Sequence, residues 1–593
     1  MRFTFIFTLL VAAASYCRAD KDVFHNDQAF DAAAYGVYPV QHYRSTDLVS
    51  PRVNVLQSSS ECDSSLYTLL TPRGSSTSES TGVILDHNGN LIWTSAWGGQ
   101  QIYNLLVQEY KGQSYLTFWA GNDAVGGHGA GFYYMLDKHY NLFLEIGAAG
   151  GLDGDLHDFR LTENGTALIT VYQVINKDLS ELGKPFVGEI WDCLIQEVNI
   201  ETGELIFQWR ASDHYKVSDT LRDIGGDGGI GRAFDFFHMN SIAKDLKGNY
   251  LTSSRYMHSL TYINGTDGEI IWIIGGKRNM FEDLSNGHAT NFAYQHDARW
   301  SKENTEVTMF DNGVDDLHPN IADTRGLRLE LDQDKMTAKV VAEYKNPHHI
   351  HGISQGSFQT LENGNSFMGY GNTAAFTEYS HNGTVLCDTH FGAESRFGAG
   401  EVQSYRVYKY SWHAWPETNP DVAIAENDDG EWTFLVSWNG ATEVREWVLQ
   451  GADEAESDEW VDLERILKTE FETEFEIHTS YPRYMRVLAL DSTFRILGVG
   501  GLLDLTLEKV IEDSIVNSTS SGNDINHLTQ AWSLPPLRIE EGDTWWLKIM
   551  LGFCTFTGLC VGLREAKVVW RTRRRFRRGS IAFQHIDPAI LHA

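Results

Sequence analysis

A turn that keeps recurring constrains this chain more than any other feature. The segments LDHNGNLIW (85–93), LDKHYNLFLE (136–145), LTENGTALIT (161–170), IETGELIFQW (200–209), KDLKGNYLT (244–252), NGTDGEIIW (264–272), LENGNSFMGYG (361–371) and YSHNGTVLCD (379–388) all set a polar tip between β-rich flanks. Asn-Gly, Asp-Gly and Thr-Gly tips supply the positive φ of tight reversals, and Val, Ile, Trp, Tyr and Phe beside them favour strands, so each segment reads as a hairpin. Hairpins at this density, with almost no helical periodicity, predict four-stranded sheets repeated around a central channel. The expected fold is all-β: a six-bladed β-propeller over 62–405, preceded by an N-terminal segment, 20–61. A stacked sandwich or solenoid is the rival architecture.

Beyond Tyr410 the texture changes. WTFLVSWNGATEVREWVLQG (432–451) and YMRVLALDSTFRILGVGG (484–501) predict an immunoglobulin- or fibronectin-like β-sandwich over 406–505, with Trp438 and Trp447 in its core. Residues 506–544, rich in Ser, Asn and acids, read as a stalk.

The two ends carry targeting signals. Residues 1–19 combine Arg2, an apolar run and a small Ala19, the pattern of a cleaved signal peptide. Near the other end, Trp545, Trp546 and Lys548 lead into an apolar run, so 545–563 reads as one transmembrane helix. The following segment, 564–593, holds eight Lys/Arg against two acids. The positive-inside rule puts this tail in the cytosol and the bulk of the chain outside the cell or in the lumen of the secretory pathway. Asn164, Asn264, Asn382 and Asn517 head N-x-S/T triplets, consistent with glycosylation there.

Charge excludes one class of partner. Residues 20–544 hold 36 Lys/Arg against 78 Asp/Glu, a formal charge of −42, which repels nucleic acid. An anionic ligand must therefore be held by a local cluster of donors. In the same region Cys62, Cys193 and Cys387 predict one disulfide and one free thiol, with the pairing left open. No cysteine spacing suggests a metal site. NPHHIHG (346–352) does raise the question, because alternation on a strand would turn His349 and His351 to one face and His348 to the other. No acidic or cysteine ligand is fixed by that spacing, and no metal is expected.

Four strings place polar chemistry where inner-strand ends would converge: LHDFRLTENG with His157, FFHMNSIAKDLKG with His238 and Asn240, LTSSRYMHS with Arg255, and YQHDARW with His296 and Arg299. With the Leu-Thr-Pro opening at 70–72, GEIIWIIGGKRNMF, TMFDNG and QGSFQTLENGNSFMGYG, this succession resembles the arylsulfotransferase family of six-bladed propellers, particularly its large fungal branch. The resemblance runs over roughly residues 60–400 and the trailing WNGATEV domain. The membrane anchor is an addition to the soluble enzyme pattern.

That resemblance implies sulfuryl transfer from a phenolic sulfate donor to a phenolic acceptor, through a sulfated histidine, with no nucleotide sulfate and no cofactor. By position it makes His296 the nucleophile, and His157, His238 and Arg255 the groups that hold sulfuryl oxygens and manage protons. His238 is the favoured acid–base and His157 the reserve. Asn240 and Arg299 are expected as substrate contacts, although Arg299, like Lys277 and Arg278, also reads as a structural ion pair. A neutral imidazole suits attack on an anionic sulfate ester, and the planar fork of an arginine suits two oxyanion atoms. The alternative is a non-catalytic propeller used at a surface for adhesion or ligand binding, in which these histidines serve folding alone.

Overall fold

The computed structural model describes residues 19–314, 323–426, 430–507 and 509–511. Each of the eight turn segments joins two antiparallel strands. The reversals are longer than two-residue turns: one residue near the tip takes positive φ, and the register often shifts beside it. At 85–91 the amide of Asp86 donates to Asn90 and Gly89 sits at φ 89°. The Asp86 carboxylate accepts from the amides of Asn88 and Asn90 and so holds the loop shut. Asp137 and Asp245 repeat the device. In the 136–142 turn the left-handed residue is Tyr140, at φ 64°, where most of the others use glycine.

These hairpins contribute to six sheets among the described residues, each built on four antiparallel strands, three of them extended by short extra strands. Sheet one combines Tyr67–Leu70, Thr81–Leu85 and Leu91–Ala96 with the distant Val407–Tyr410, which pairs against Tyr67–Leu70. Sheet two runs from Gln101–Tyr110 to Leu142–Ile146, sheet three from Phe159–Leu161 to Leu205–Arg210, and sheet four from Met239–Lys244 to Ile270–Gly275. Sheet five runs from His296–Ser301 to Thr337–Tyr344, and sheet six from Ser357–Thr360 to Val385–His390. Val407–Tyr410 and the leading strands of sheets two to six touch one another in a closed ring.

Both faces of every sheet are covered. Separate apolar clusters fill the gaps between successive sheets, with Trp93 and Phe118 between one and two, Trp119 and Phe159 between two and three, and Trp209 and Ile242 between three and four. Trp272 and Met309 lie between four and five, Phe310 and Phe358 between five and six, and Phe391 and Val83 between six and one. A sheet buried on both faces has no solvent side, which is why these strands read as apolar runs rather than as strict alternation. The molecule is all-β and propeller-like.

The strand that completes sheet one lies beyond residue 405, so the chain returns to its start after the boundary read from sequence. The segment before residue 62 is also built in. Asn54–Gln57 pairs with Val385–His390, and Phe24–His25 pairs with Asn54–Gln57. A Cys62–Cys387 disulfide ties the same regions together, and Cys193 is a buried free thiol.

After residue 420, the strands Asp421–Glu426, Trp432–Ser437 and Thr473–Glu476 form one sheet, and a second is centred on Glu446–Ala452 and Tyr484–Leu490. Phe434, Trp438, Trp447, Phe475 and Val487 form their common core, and Trp447 is fully buried. The expected span at 545–563 lies outside the described residues, as do the stalk, the basic tail, residues 1–18 of the signal segment and Asn517. Among the described residues no helix is long and apolar enough to cross a membrane. Asn164 and Asn382 are exposed and Asn264 is half-buried.

The strand reading of 346–352 is corrected. Asn346 begins a turn that His349 closes by donating its amide to the Asn346 carbonyl, and His348, His349 and His351 are exposed on a loop. Without a pleat to alternate on, they share no face.

Candidate functional site

The candidate residues cluster where the ring strands begin. His157 precedes Phe159–Leu161, His238 precedes Met239–Lys244, His296 opens His296–Ser301, and Tyr405 precedes Val407–Tyr410. Local backbone irregularity aims them. His238 and Asp297 have φ of 54° and 55°, and the pairing shifts between Met239 and Ser241 and between His296 and Arg299. Such bulges turn side chains out of the regular pleat and into the mouth of the ring.

The side chains converge. The His157 and His238 rings are 4.8 Å apart at their centroids, and Tyr405 stands 5.7 Å from His157 and 6.3 Å from His296. All four are buried, His157 at 3%, His238 at 5%, His296 at 2% and Tyr405 at 2% exposure. The Arg255 guanidinium lies over Tyr294 at 4.2 Å and over Tyr256 at 5.1 Å, and donates to the Tyr256 hydroxyl. Among the described residues no carboxylate pairs with Arg255, and its buried Nε has no hydrogen-bond partner. The positive charge of Arg255 reaches His296 and adds to burial in depressing that ring's pKa.

Hydrogen bonding fixes which ring nitrogen faces the site. Asn312 Nδ2 donates to the carbonyls of Gly352 and Gln355, so Asn312 Oδ1 is left to face His296 Nδ1 at 2.8 Å. An amide oxygen only accepts, so Nδ1 carries the proton and His296 Nε2 presents a lone pair. His157 Nδ1 meets Asp155 Oδ2 at 2.7 Å, and His238 Nδ1 meets Asp235 Oδ2. These are two Asp–His dyads with their Nε2 atoms outward. Burial, reinforced by Arg255, holds His296 well below the ordinary histidine range. Burial also holds His238 low, with His157 and Arg255 adding to it.

Several members were not found from sequence. Asp155 and Asp235, two and three residues before their histidines, were the legible signal for the dyads. Asn312, in FDNG, and Tyr405 carry no local signature, because each reaches the cluster from a different sheet or loop. His128, from GGHGAG, stacks on Tyr172 at 3.9 Å between the dyads, and burial pushes its pKa down to about 3.

Of the expected substrate contacts, Asn240 donates Nδ2 to the Gln295 carbonyl at 2.7 Å, bracing the turn before His296, while its buried Oδ1 has no partner. Arg299 turns away into a buried network. It grips Asp158 through Nη1 and Nη2 at 2.8 and 3.0 Å and Asp297 through Nε at 2.9 Å. Arg406 joins Asp158 at 2.9 Å, and Arg160 bonds the Tyr408 hydroxyl, which donates to Asp297. The Arg299 fork is thus already filled by two carboxylates. Lys277 and Arg278 sit on backbone carbonyls of Thr220 and His214.

The same burial has a consequence for stability. His128 and His296 stay neutral in the folded protein at pH values where the unfolded chain, with histidines near 6.5, takes up protons. Their folded values are depressed, so their penalty is absent above pH 6.5 and grows as pH falls below it. At about one proton per histidine, the pair is expected to lower unfolding free energy by about 3 kcal/mol between pH 7.5 and about pH 5.5. Urea unfolding at the two pH values checks this. An unchanged midpoint would contradict the neutral burial of these rings.

Residues 106–392 match the family model described as Arylsulfotransferase (ASST). That arylsulfotransferase match contains His157, His238, Arg255 and His296, and excludes Tyr405 and Arg406. No curated protein matches the chain. Among solved structures, the chain is similar to a Bacteroides caccae protein of unknown function, at 14% identity over 58% of this chain and 99% of that one, with a TM-score of 0.33. The β-propeller domain of Myceliophteria thermophila Cps50 (Swd1) aligns at 11% identity over 57% of this chain and 89% of its own, with a TM-score of 0.31. The periplasmic gluconolactonase PpgL of Pseudomonas aeruginosa aligns at 9% identity over 59% and 100%, with a TM-score of 0.33.

Proposed function

We propose that this protein is an aryl sulfate:phenol sulfotransferase that works without a nucleotide donor, through a sulfo-histidine at His296. The supporting observation is the His296 Nε2 lone pair, fixed by Asn312, beside a guanidinium that no described carboxylate neutralises. In this reading the six sheets are the six blades of a propeller, followed by an immunoglobulin-like sandwich. A glycosylated ectodomain, anchored by one C-terminal span, faces the outside or a secretory lumen.

The chemistry follows from the tautomers. His296 Nε2 attacks sulfur, the S–O bond to the donor breaks, and the donor leaves as phenoxide. The sulfo-imidazolium keeps its Nδ1 proton on Asn312. Arg255 faces the sulfuryl oxygens, where a preorganised donor contributes about 3–4 kcal/mol of transition-state stabilisation. The acceptor phenol then gives its proton to the outward Nε2 of His238, whose Nδ1–H is held by Asp235, and the new phenoxide attacks sulfur. His296 returns neutral, and the proton passes from His238 to the departed phenoxide or to water. General-base assistance of this kind is worth about 10²–10⁴-fold. His157 and Asp155 form the second dyad, in reach of the same oxygens.

Incubating the full-length protein with a chromogenic aryl sulfate and excess phenol tests the reading. Phenol-dependent chromophore release, together with one SO3 group on the peptide containing His296 after brief exposure to donor, is expected. Their absence in folded protein would remove it. The non-catalytic reading draws on the near-complete burial of the three histidines, and the same assay separates the two.

Asn312 offers a sharper check. Asn312→Ala frees the His296 ring to adopt the other tautomer, and wrong-tautomer losses reach about 10⁴-fold in related logic. We expect kcat to fall by about 10²–10⁴-fold with little change in KM, because Asn312 positions the nucleophile and does not hold the substrate. A loss confined to KM would sink this role.

A further inference from the structure

His128 poses a problem that sulfuryl transfer does not answer. It is fully buried, and neither of its ring nitrogens has a hydrogen-bond partner. A buried polar atom with nothing to bond is costly, so the position should have a ligand. Its neighbours are donors of one chemical kind. Asp235 and His238 on one side, and Asp155 and His157 on the other, each bring a carboxylate oxygen and an imidazole nitrogen within 4.8 Å of a ring nitrogen of His128. All five residues are buried.

The spacing on the Asp235 side is the telling one. His128 Nε2 lies 3.3 Å from Asp235 Oδ2, yet the two are not hydrogen-bonded. A tetrahedral dication with bonds of about 2.0–2.2 Å keeps its donors about 3.3–3.5 Å apart. Two imidazoles and one carboxylate, with a fourth position open, are a donor set that suits Zn2+ and similar borderline dications rather than Ca2+ or Mg2+.

We propose that His128, Asp235 and His238 form a binding site for a transition-metal dication of the Zn2+ type. The ion bonds to His128 Nε2, Asp235 Oδ2 and His238 Nδ1. It replaces the hydrogen bond between His238 and Asp235, and that close pair opens toward the spacing His128 already has. The His238 proton moves through solvent from Nδ1 to Nε2, so the ring stays neutral but presents N–H outward instead of a lone pair. On the sulfotransferase reading this removes the acceptor-step base, making the ion an inhibitor. The binding itself does not depend on that reading.

Co2+ added to metal-free full-length protein is the probe. The visible absorption of four-coordinate Co2+ should saturate at a single ion per chain, and Zn2+ should displace it. Asp31, His390 and Glu394 form a partly exposed donor group elsewhere and provide the control. His128→Gln should weaken Co2+ binding by more than about 100-fold, whereas Glu394→Gln should leave it unchanged. If His128→Gln fails to fold, Asp235→Asn carries the same expectation. A wild-type protein with no saturable Co2+ spectrum overturns the site, as does binding lost with Glu394→Gln but kept with His128→Gln. Because the spectrum is read without turnover, a protein that binds Co2+ yet transfers no sulfuryl group even when metal-free refutes the sulfotransferase reading alone.

Discussion

His296→Ala is expected to end sulfuryl transfer, lowering kcat/KM by on the order of 10⁴-fold or more while leaving the fold intact. If the sulfuryl group rests on Nε2, no other residue can stand in, since covalent catalysis splits the reaction at that atom. Asp155 and Asp235 dress His157 and His238 as proton carriers, whereas His296 alone faces a neutral amide, so its tautomer is set without placing a negative charge beside an anionic donor. The loss should therefore be much larger than for His157→Ala. The experiment measures phenol-dependent release and mass-labelling of the His296 peptide in folded variants. Substantial transfer by His296→Ala, or a sulfo group recovered on another histidine, would transfer the role elsewhere.

Asp158→Ala is expected to be the most damaging change to stability. Asp158 is 1% exposed and accepts from Arg299, Arg406 and the amide of Ile242, with Arg160 also beside it. Burial alone would raise its pKa, but Arg299, Arg406 and Arg160 outweigh burial and hold it far below the usual carboxylate range. Removing it leaves three guanidiniums facing Asp297 alone. Breaking a buried ion pair by deleting one partner costs about 3–5 kcal/mol, chiefly because the surviving charge is stranded. The loss should appear as a lower urea midpoint at unchanged slope, and Asp158→Asn, which keeps an acceptor for Ile242, should lose less. A variant as stable as the parent would show that the network is not needed to close the ring.

Much of this was legible in the order of residues. The eight turn segments are hairpins because a backbone bond that closes each loop, at Asp86, Asn199 or Ser380 for example, and usually a glycine at positive φ, act over four to six residues. The histidine strings could be found for a similar reason, since each lies at the start of an inner strand and carries its own local pattern. The strand alternation weighed for NPHHIHG does not hold, because the segment is a turn and loop without a pleat. Arg299 reads equally as a substrate fork or as an ion pair, and the choice rests on Asp158, a residue 141 positions away.

Sequence alone, then, determined the strands, their reversals and the positions at which imidazoles would stand, because those depend on backbone preferences acting between near neighbours. Only the tertiary structure decided which nitrogen of each ring is exposed, which arginine is left without a described carboxylate, and that His128 is buried between two dyads with nothing to bond. Those properties belong to partners brought together from separate sheets once Val407–Tyr410 pairs with Tyr67–Leu70. Proton placement and charge pairing are settled by atoms within about 3 Å, whatever their distance along the chain.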